Sequence, residues 1–405
     1  MSSETVEKKP GAIPFITFNQ STKKFDISPE SVKIITNPEY KKIGIISLVG
    51  KYRTGKSFLL NRVLIKSQKG FEVGPTIKPC TKGIWLWPTP IFTTNNFSEE
   101  SFPVFFIDTE GLGAYDEEVN HDSKIFLISI LISSLFIYNS FGTIDENSIN
   151  SLSLILNLSK NLKLRNSSLN NTNNNNSEEK EMSKYFPSLL WLLRDFILKL
   201  EDSEGNVITA KQYLENALMI QKGTSAAIEE KNEVRNLLKT YFKERDCFIM
   251  VRPVENENDL QNLQNLPDDK IRKEFLEQSE VLRTKVFKKI KPKTFNGKLL
   301  TGSMLMKLIE NIINSINEGA IPVIENSWKY VLENELLREM NLILFNFKEK
   351  IRKYQSENIN SDNFHLHFEK FTQNEIENEI KKFTEMNKQN ISEKELEDYQ
   401  QISFI

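Results

Sequence analysis

A chain of 405 residues is longer than one ordinary domain and predicts two or three domains. Hydrophobic residues make up 39% and charged residues 27%, which is typical of a protein with a sizeable core and excludes wholesale disorder. The 53 Lys and Arg against 55 Asp and Glu give a formal charge of -2, so bulk charge indicates neither a nucleic acid nor an anionic membrane as partner. The 2 cysteines and 3 histidines are too scattered for a disulfide framework or a zinc site, which favours a cytoplasmic protein.

The amino-terminal segment lacks the apolar stretch of a signal peptide, so we expect residues 1–30 to be a largely disordered lead-in. The longest apolar run, Ile125 to Tyr138, falls short of the roughly 20 residues that a membrane span needs, and we expect it in a buried core. The last residues, QQISFI, lack the cysteine that prenylation requires. We therefore expect neither a transmembrane anchor nor a lipid anchor.

Short apolar runs that alternate with helical periodicity predict an α/β domain with a mostly parallel sheet over residues 31–320. The predicted strands are Ile43 to Val49, Ile84 to Trp87, Val104 to Ile107, Leu135 to Tyr138, Leu189 to Leu193 and Cys247 to Val251. The predicted helical stretches are Phe58 to Ser67, Ile149 to Leu164 and Ala210 to Phe242. An Asn-rich tract at 166–180 predicts a mobile surface insertion into this domain.

The character of the chain changes after residue 320, where strand-like runs disappear and charged residues alternate with spaced Leu, Ile and Phe. This pattern predicts a shorter all-helical domain over residues 321–405. Its longest predicted helices are Val323 to Gln355 and Glu369 to Met386, joined by a polar connection.

A phosphate-binding loop is predicted directly after the first of these strands. Gly50 to Ser57 reads GKYRTGKS, a full match to G-x-x-x-x-G-K-[ST], and it lies between the strand IGIISLV and the helical stretch FLLNRVLIK. In such a loop backbone N–H groups cradle the phosphates, Lys56 reaches the β and γ oxygens, and the Ser57 hydroxyl binds Mg²⁺. The residues assigned to the nucleotide here are Gly50, Lys51, Tyr52, Arg53, Thr54, Gly55, Lys56, Ser57 and Phe58.

A second magnesium element is predicted at the end of the strand VFFIDTEG. P-loop enzymes hold the metal from its far side with a carboxylate at the end of a neighbouring strand, and Asp108 occupies that position. Gly111 follows it and would let a backbone N–H approach the γ-phosphate at low steric cost. We expect Asp108 to hold Mg²⁺ through a water molecule.

These motifs resemble those of the guanylate-binding proteins, large GTPases of the dynamin superfamily. The resemblance covers about residues 35 to 335 and rests on several segments. They are VGKYRTGKSFLLNRV, CTKGIWLW, DTEGLG, IFLISILISSLFIYNSFGTID, WLLRDF and INEGAIPVIENSW. The resemblance implies that Arg194 and Asp195, in WLLRDF, read guanine, because N/TKxD, the guanine motif of Ras-like GTPases, is not found in a suitable place.

The resemblance also implies the catalytic residues. Arg53 corresponds to an internal arginine finger that acts when two GTPase domains dock face to face. Thr81 corresponds to the switch I threonine that completes the Mg²⁺ shell, while Glu110 and Gly111 lie on the side that positions water and senses the γ-phosphate. Pro79 stands where the family commonly has a serine that positions the attacking water, which puts the catalytic rate in doubt.

The resulting hypothesis is a Mg²⁺-dependent GTPase that hydrolyses GTP to GDP, with GMP as a further product in some relatives. The implied partner is a second copy of the chain, docked through the GTPase domain in the GTP-bound state, and heterodimers with relatives stay open. One alternative is a scaffold that self-associates on GTP but hydrolyses little of it, which Pro79 favours. Another is a membrane-remodelling GTPase like the atlastins, whose transmembrane helices we do not find in this sequence.

Overall fold

The computed structural model describes residues 11–67, 70–71, 83–95, 98–109, 119–150, 152, 162, 181–360 and 363–387. The chain divides into two compact units, residues 1–325 and 326–405. The described part of the first unit is a sheet with helices, and that of the second is helical. The predicted fold class, an α/β domain followed by a shorter helical one, is therefore confirmed.

The first unit is built on a nine-stranded mixed sheet with the order β2-β1-β4-β6-β3-β7-β8-β9, and β5 pairs with β6. Its strands are β1 Ile13–Asn19, β2 Lys24–Ile27, β3 Gly44–Gly50, β4 Ile84–Leu86, β5 Ile91–Asn95, β6 Ser98–Thr109, β7 Leu135–Phe141, β8 Ser188–Arg194 and β9 Arg245–Ile249. A separate hairpin joins β10 Thr294–Phe295 to β11 Lys298–Leu299. Each of the six predicted strands is present.

Five adjacent strands, β6, β3, β7, β8 and β9, run parallel to one another. Parallel strands are covered by helices on both faces and therefore read as continuous apolar runs rather than alternating ones. In β3, GIISLVG, all seven residues are buried, and β8 is buried from its second residue onward. This continuous burial is the reason that the central strands could be predicted from the sequence.

The predicted disordered lead-in over residues 1–30 is wrong for residues 13–30, while residues 1–10 lie outside the described part. The strands β1 and β2 form an antiparallel hairpin, and β1 extends the sheet by pairing with β4. Phe15, Ile16 and Phe25 are buried. The side chain of Asn317 also bonds the backbone N–H and C=O of Phe25, at 2.8 and 2.9 Å. This edge is stabilised by residues far away in sequence, which a local pattern does not reveal.

Among the described residues, the helices of the first unit are α1 Pro29–Ile35, α2 Lys56–Phe58, α3 Val119–Ile132, α4 Glu146–Asn150, α5 Ala210–Ala217, α6 Ala226–Tyr241, α7 Glu257–Gln261, α8 Lys273–Lys289 and α9 Gly302–Asn317. Single helical turns occur at Ser183–Tyr185, Leu263–Asn265 and Asp268–Lys270. The helix α2 continues as a π-helical segment, Leu59–Ile65.

Two helical predictions need correction or lie outside the described residues. The stretch predicted as one helix, Ala210 to Phe242, forms two helices, α5 and α6. Between them Gly223 adopts a φ of +143°, a backbone conformation that residues other than glycine rarely adopt. Most of the predicted helix Ile149 to Leu164, like the Asn-rich insertion at 166–180, lies outside the described part of the chain.

The second unit contains α10 Ile324–Asn358 and α11 Phe364–Asn387, close to the two predicted helices. They pack together through Tyr354, whose ring stacks on that of Phe371 with centroids 4.0 Å apart. The Lys350 ammonium bonds the carboxylates of Glu375 and Glu379 at 2.6 and 2.8 Å. In neither unit is any described helix both long and apolar enough to cross a bilayer.

Candidate nucleotide site

The predicted phosphate loop begins at the carboxyl end of β3 and leads into α2. Arg53 and Gly55 adopt φ values of +65° and +73°, so the chain turns sharply between strand and helix. A side chain at Gly50 would bring its Cβ within 2.2 Å of the Asn139 carbonyl oxygen on β7. Glycine at position 50 is therefore required by the close approach of β3 and β7 at this end of the sheet.

The loop is held together by its own side chains. The Lys51 carbonyl accepts a hydrogen bond from the Thr54 hydroxyl at 2.8 Å and another from the Lys56 ammonium at 3.2 Å. Lys56 and Thr54 are both buried, whereas Lys51 and Arg53 are exposed. Because Lys56 is already fixed against the loop, a ligand bound there would cost it little further side-chain freedom.

Ser57 and Asp108 form a close oxygen pair beside the loop. The Ser57 hydroxyl donates to Asp108 Oδ2 at 2.5 Å, and Asp108 Oδ1 has no hydrogen-bond partner among the described residues. Burial raises the pKa of Asp108 to about 6, against the opposing effects of the Lys56 charge and the Ser57 hydrogen bond. A buried carboxylate with an unused oxygen next to a hydroxyl is a donor set that suits Mg²⁺.

These two residues alone could not enclose a metal ion. Within the described part of the chain, no group of three or more His, Cys, Asp or Glu side chains could hold one. Mg²⁺ commonly binds through one or two protein oxygens and completes its shell with waters and substrate phosphates. The site therefore fits a magnesium ion that arrives with a phosphorylated ligand.

Arg194 and Asp195 lie at the carboxyl end of β8, next to the loop. Arg194 is buried, its Cζ lies 5.5 Å from the centroid of the Phe275 ring, and its Nη1 lies 3.8 Å from where a Cβ on Gly55 would be. Burial lowers the pKa of Arg194 to about 10, while the Asp195 charge opposes that shift. Asp195 has a φ of +55°, in the left-handed region.

Polar atoms of this pair have no hydrogen-bond partner among the described residues. They are Arg194 Nε, Arg194 Nη1 and Asp195 Oδ1, all buried. Buried polar groups in native proteins are almost always hydrogen-bonded, and an exception calls for an explanation such as an absent ligand. The Arg-Asp pair thus offers two donors and one acceptor to a ligand beside the phosphate loop.

Asn139, near the end of β7, belongs to the same site and was missed in the sequence. Its Nδ2 donates to the Thr54 carbonyl at 2.8 Å, it is fully buried, and its Oδ1 has no partner among the described residues. A polar side chain inside the apolar run LFIYNSF was the available signal. Recognising it required knowing that β7 lies beside β3.

We expect Asn139→Leu to lower the free energy of unfolding by about 1 to 3 kcal/mol, because it leaves the buried Thr54 carbonyl without its donor. The control is Asn334→Leu, which removes an exposed amide-to-carbonyl bond to Tyr330. We expect the control to cost less than about 0.5 kcal/mol. Urea unfolding of both variants tests this, and equal losses would contradict the role given to Asn139.

The other predicted residues divide into two groups. Tyr52 is half-buried, and Phe58 is buried in the core with its ring 6.2 Å from that of Phe275. Thr81, Glu110 and Gly111 lie outside the described residues, as does Pro79. Their assignments remain predictions.

Comparison with known proteins places this site in a family. The model of the guanylate-binding protein N-terminal domain matches residues 22–295. Mouse guanylate-binding protein 7 is 34% identical over 303 residues, 74% of this chain and 45% of that protein. Human guanylate-binding protein 4 is 34% identical over 285 residues, 70% of this chain and 43% of that protein. Human guanylate-binding protein 1 is 33% identical over 302 residues, 74% of this chain and 49% of that protein.

The chain spans about half the length of these relatives. The family match includes β3, the loop, Asp108, Asn139 and the Arg-Asp pair. The family model matches more than half of the chain, and the mouse relative is 34% identical over 74% of it. The chain therefore belongs to the guanylate-binding protein family.

Proposed function

We propose that this chain binds GTP together with Mg²⁺ and hydrolyses it to GDP. The observation that carries the proposal is the set of buried atoms of Arg194 and Asp195, beside a formed phosphate loop, that have no hydrogen-bond partner in the described part of the chain. A phosphate loop alone predicts a nucleotide, and the Arg-Asp pair adds a site for its base. Family membership supports the same assignment.

The phosphates would lie against the backbone N–H groups of the loop, with Lys56 at the β and γ oxygens. Ser57 and Thr81 would hold Mg²⁺ directly, and Asp108 would hold it through water. When bound, Mg²⁺ neutralises charge on the β and γ phosphates. Glu110 and Gly111 would orient the attacking water and contact the γ-phosphate.

Asp195 would select the base. Guanine presents two donors on one edge, N1–H and the N2 amino group, which a carboxylate can accept together. Adenine presents the unprotonated N1 at the corresponding position, which repels a carboxylate. Arg194, buried and with two unpartnered nitrogens, would hold the carboxylate and contribute positive charge next to the phosphate loop.

A scaffold that binds GTP and self-associates without much hydrolysis is the second candidate, and Pro79 favours it. The two differ in turnover. Chromatography of nucleotide products over a range of protein concentrations distinguishes them, and it also reveals any GMP. Accumulation of GDP supports the enzyme, whereas unchanged GTP at every protein concentration supports the scaffold.

The GTPase proposal also includes homodimers, heterodimers with relatives and a cytoplasmic location.

We expect Asp195→Asn to reduce the preference for GTP over ATP by about 2 to 4 kcal/mol, because the amide turns an NH₂ group toward the guanine donors. Competition of GTP and ATP against a fluorescent GTP analogue measures the preference. The control, Asp269→Asn, changes an exposed aspartate and should leave it unaltered. If ATP competes as well as GTP in the unmutated protein, the base assignment is wrong.

A further inference from the structure

A polar cavity lies at the edge of the sheet opposite the phosphate loop. It has a volume of about 240 Å³. Ser134, just before β7, Ser188, the first residue of β8, and Glu244, just before β9, line it together with the segment 291–294. Parallel strands begin at this edge and end at the loop, so the cavity is separate from the nucleotide site.

One residue of the cavity lining is a buried lysine, Lys293, which the proposed GTPase mechanism does not use. Lys293 is 2% exposed, and its ammonium donates to the Ser133 carbonyl at 2.7 Å. In the described part of the chain no carboxylate forms an ion pair with it, and burial alone lowers the pKa of Lys293 to about 7. Removing an ammonium from water without a counter-charge is costly, and a bound anion would offset that cost.

The other charged groups of the cavity leave an excess of positive charge. Glu244 accepts from Lys291 at 2.7 Å and from Ser188 at 2.9 Å, so this carboxylate already has partners. Those contacts lower the pKa of Glu244 and keep it ionised. Lys243 and Tyr241 complete the titratable groups of the lining. Beyond the Glu244–Lys291 pair, Lys243 and Lys293 supply positive charge to the cavity.

One hydroxyl group adds a neutral donor to the lining. The Ser134 oxygen accepts from the Ile45 N–H at 3.1 Å, which leaves its hydroxyl hydrogen able to donate to a ligand. A lining that offers an ammonium and a serine hydroxyl is a donor set that oxyanions prefer. The competing explanation is that Lys293 only caps the carboxyl end of α3, where Ser133 follows the last helical residue.

We propose that this cavity binds a small oxyanion, the phosphate or carboxylate group of a small molecule, with Lys293 as its charge partner. The proposal does not depend on the GTPase assignment. It concerns a different edge of the sheet and different residues.

Sulfate is the probe because it does not titrate between pH 6 and 8.5. At constant ionic strength we expect sulfate to raise the melting temperature saturably, by roughly 2 to 4 °C at ten times its Kd. The affinity should fall as the pH rises from 6 to 8.5, because unliganded Lys293 loses its proton in this range. Acetate serves as the carboxylate probe, and a saturable response to either ion supports the proposal.

The phosphate loop is the competing anion site, so the titration is repeated in Lys56→Ala, where the response should persist. Lys293→Met should weaken sulfate binding by about tenfold or more. Lys243→Glu reverses an exposed charge at the rim and provides a second test if Lys293→Met does not fold. Lys273→Met, on the exposed face of α8, is the control and should respond like the parent.

Three results would overturn the proposal. The first is a melting temperature that rises linearly and equally in all variants, which is the general effect of an excluded salt. The second is a response lost in Lys56→Ala but kept in Lys243→Glu, which would place the anion in the phosphate loop. The third is a Lys293→Met protein that is less stable yet keeps the full saturable response, which would leave helix capping as the only role of Lys293.

Discussion

Lys56→Ala is expected to abolish tight GTP binding, whereas Thr81→Ala is expected to keep moderate binding and to lose Mg²⁺-dependent turnover. Lys56 is buried and fixed against the Lys51 carbonyl, so its charge already stands at the phosphate loop in this structure. Removing the partner of a desolvated phosphate charge costs about 2 to 5 kcal/mol of binding energy. Thr81 is proposed to contribute only when switch I closes over the nucleotide, and its effect should fall on the rate.

Equilibrium titration with a fluorescent GTP analogue and single-turnover hydrolysis separate the two effects. Lys273→Ala is the control, because it removes an exposed lysine remote from the loop. Thermal unfolding without nucleotide checks that each variant folds, which matters for Lys56 because its charge opposes the cost of burying Asp108. Equal losses of binding in Lys56→Ala and Thr81→Ala would contradict the separate roles.

Much of the fold was predictable because the central strands are continuous apolar runs. The strand β3 and the phosphate loop follow each other without a break, so the position of Lys56 and Ser57 could be read directly. The position of Asp108 at the end of the neighbouring strand followed from the order of the motifs. The pairing of Leu48 with Asp108 places that carboxylate beside the loop.

The parts that were missed depend on contacts between residues distant in the sequence. Asn139 bonds to Thr54 across 85 residues, and Lys293 bonds to Ser133 across 160. The β1–β2 hairpin is stabilised at the sheet edge by β4 and by Asn317, which lie far from it in the sequence. Local periodicity carries no information on such contacts, so neither Asn139 nor Lys293 was singled out from the sequence.

Arg53 is expected to link hydrolysis to the association of two molecules. It is exposed, at a φ of +65°, on the same loop as the buried Lys56. An arginine side chain loses rotamer entropy when it is fixed beside a phosphate. Docking of a second GTPase domain would exclude water and press the arginine toward the β–γ bridge, where arginine fingers supply about 10³ to 10⁵ in rate.

Specific activity should therefore rise with protein concentration, and Arg53→Ala should flatten that rise while GTP affinity changes by less than about tenfold. Arginine and alanine both carry a Cβ at this positive φ, so Arg53→Ala removes the guanidinium without adding backbone strain. Arg53→Gly removes the same guanidinium and also relieves the Cβ strain at this φ, so it is a second variant with a different effect on the backbone. Arg352→Ala, an exposed arginine of the second unit, is the control for lost surface charge.

Turnover per molecule is measured from nanomolar to tens of micromolar protein, alongside light scattering with a transition-state mimic of GTP. If Arg53→Ala and Arg53→Gly both lose the concentration-dependent rise, the guanidinium itself is responsible. If either variant keeps the rise, the guanidinium is not required for it and the finger role is wrong. A rate that does not change with protein concentration in the unmutated protein would exclude activation by dimers. The scaffold with little hydrolysis would then be the better-supported function.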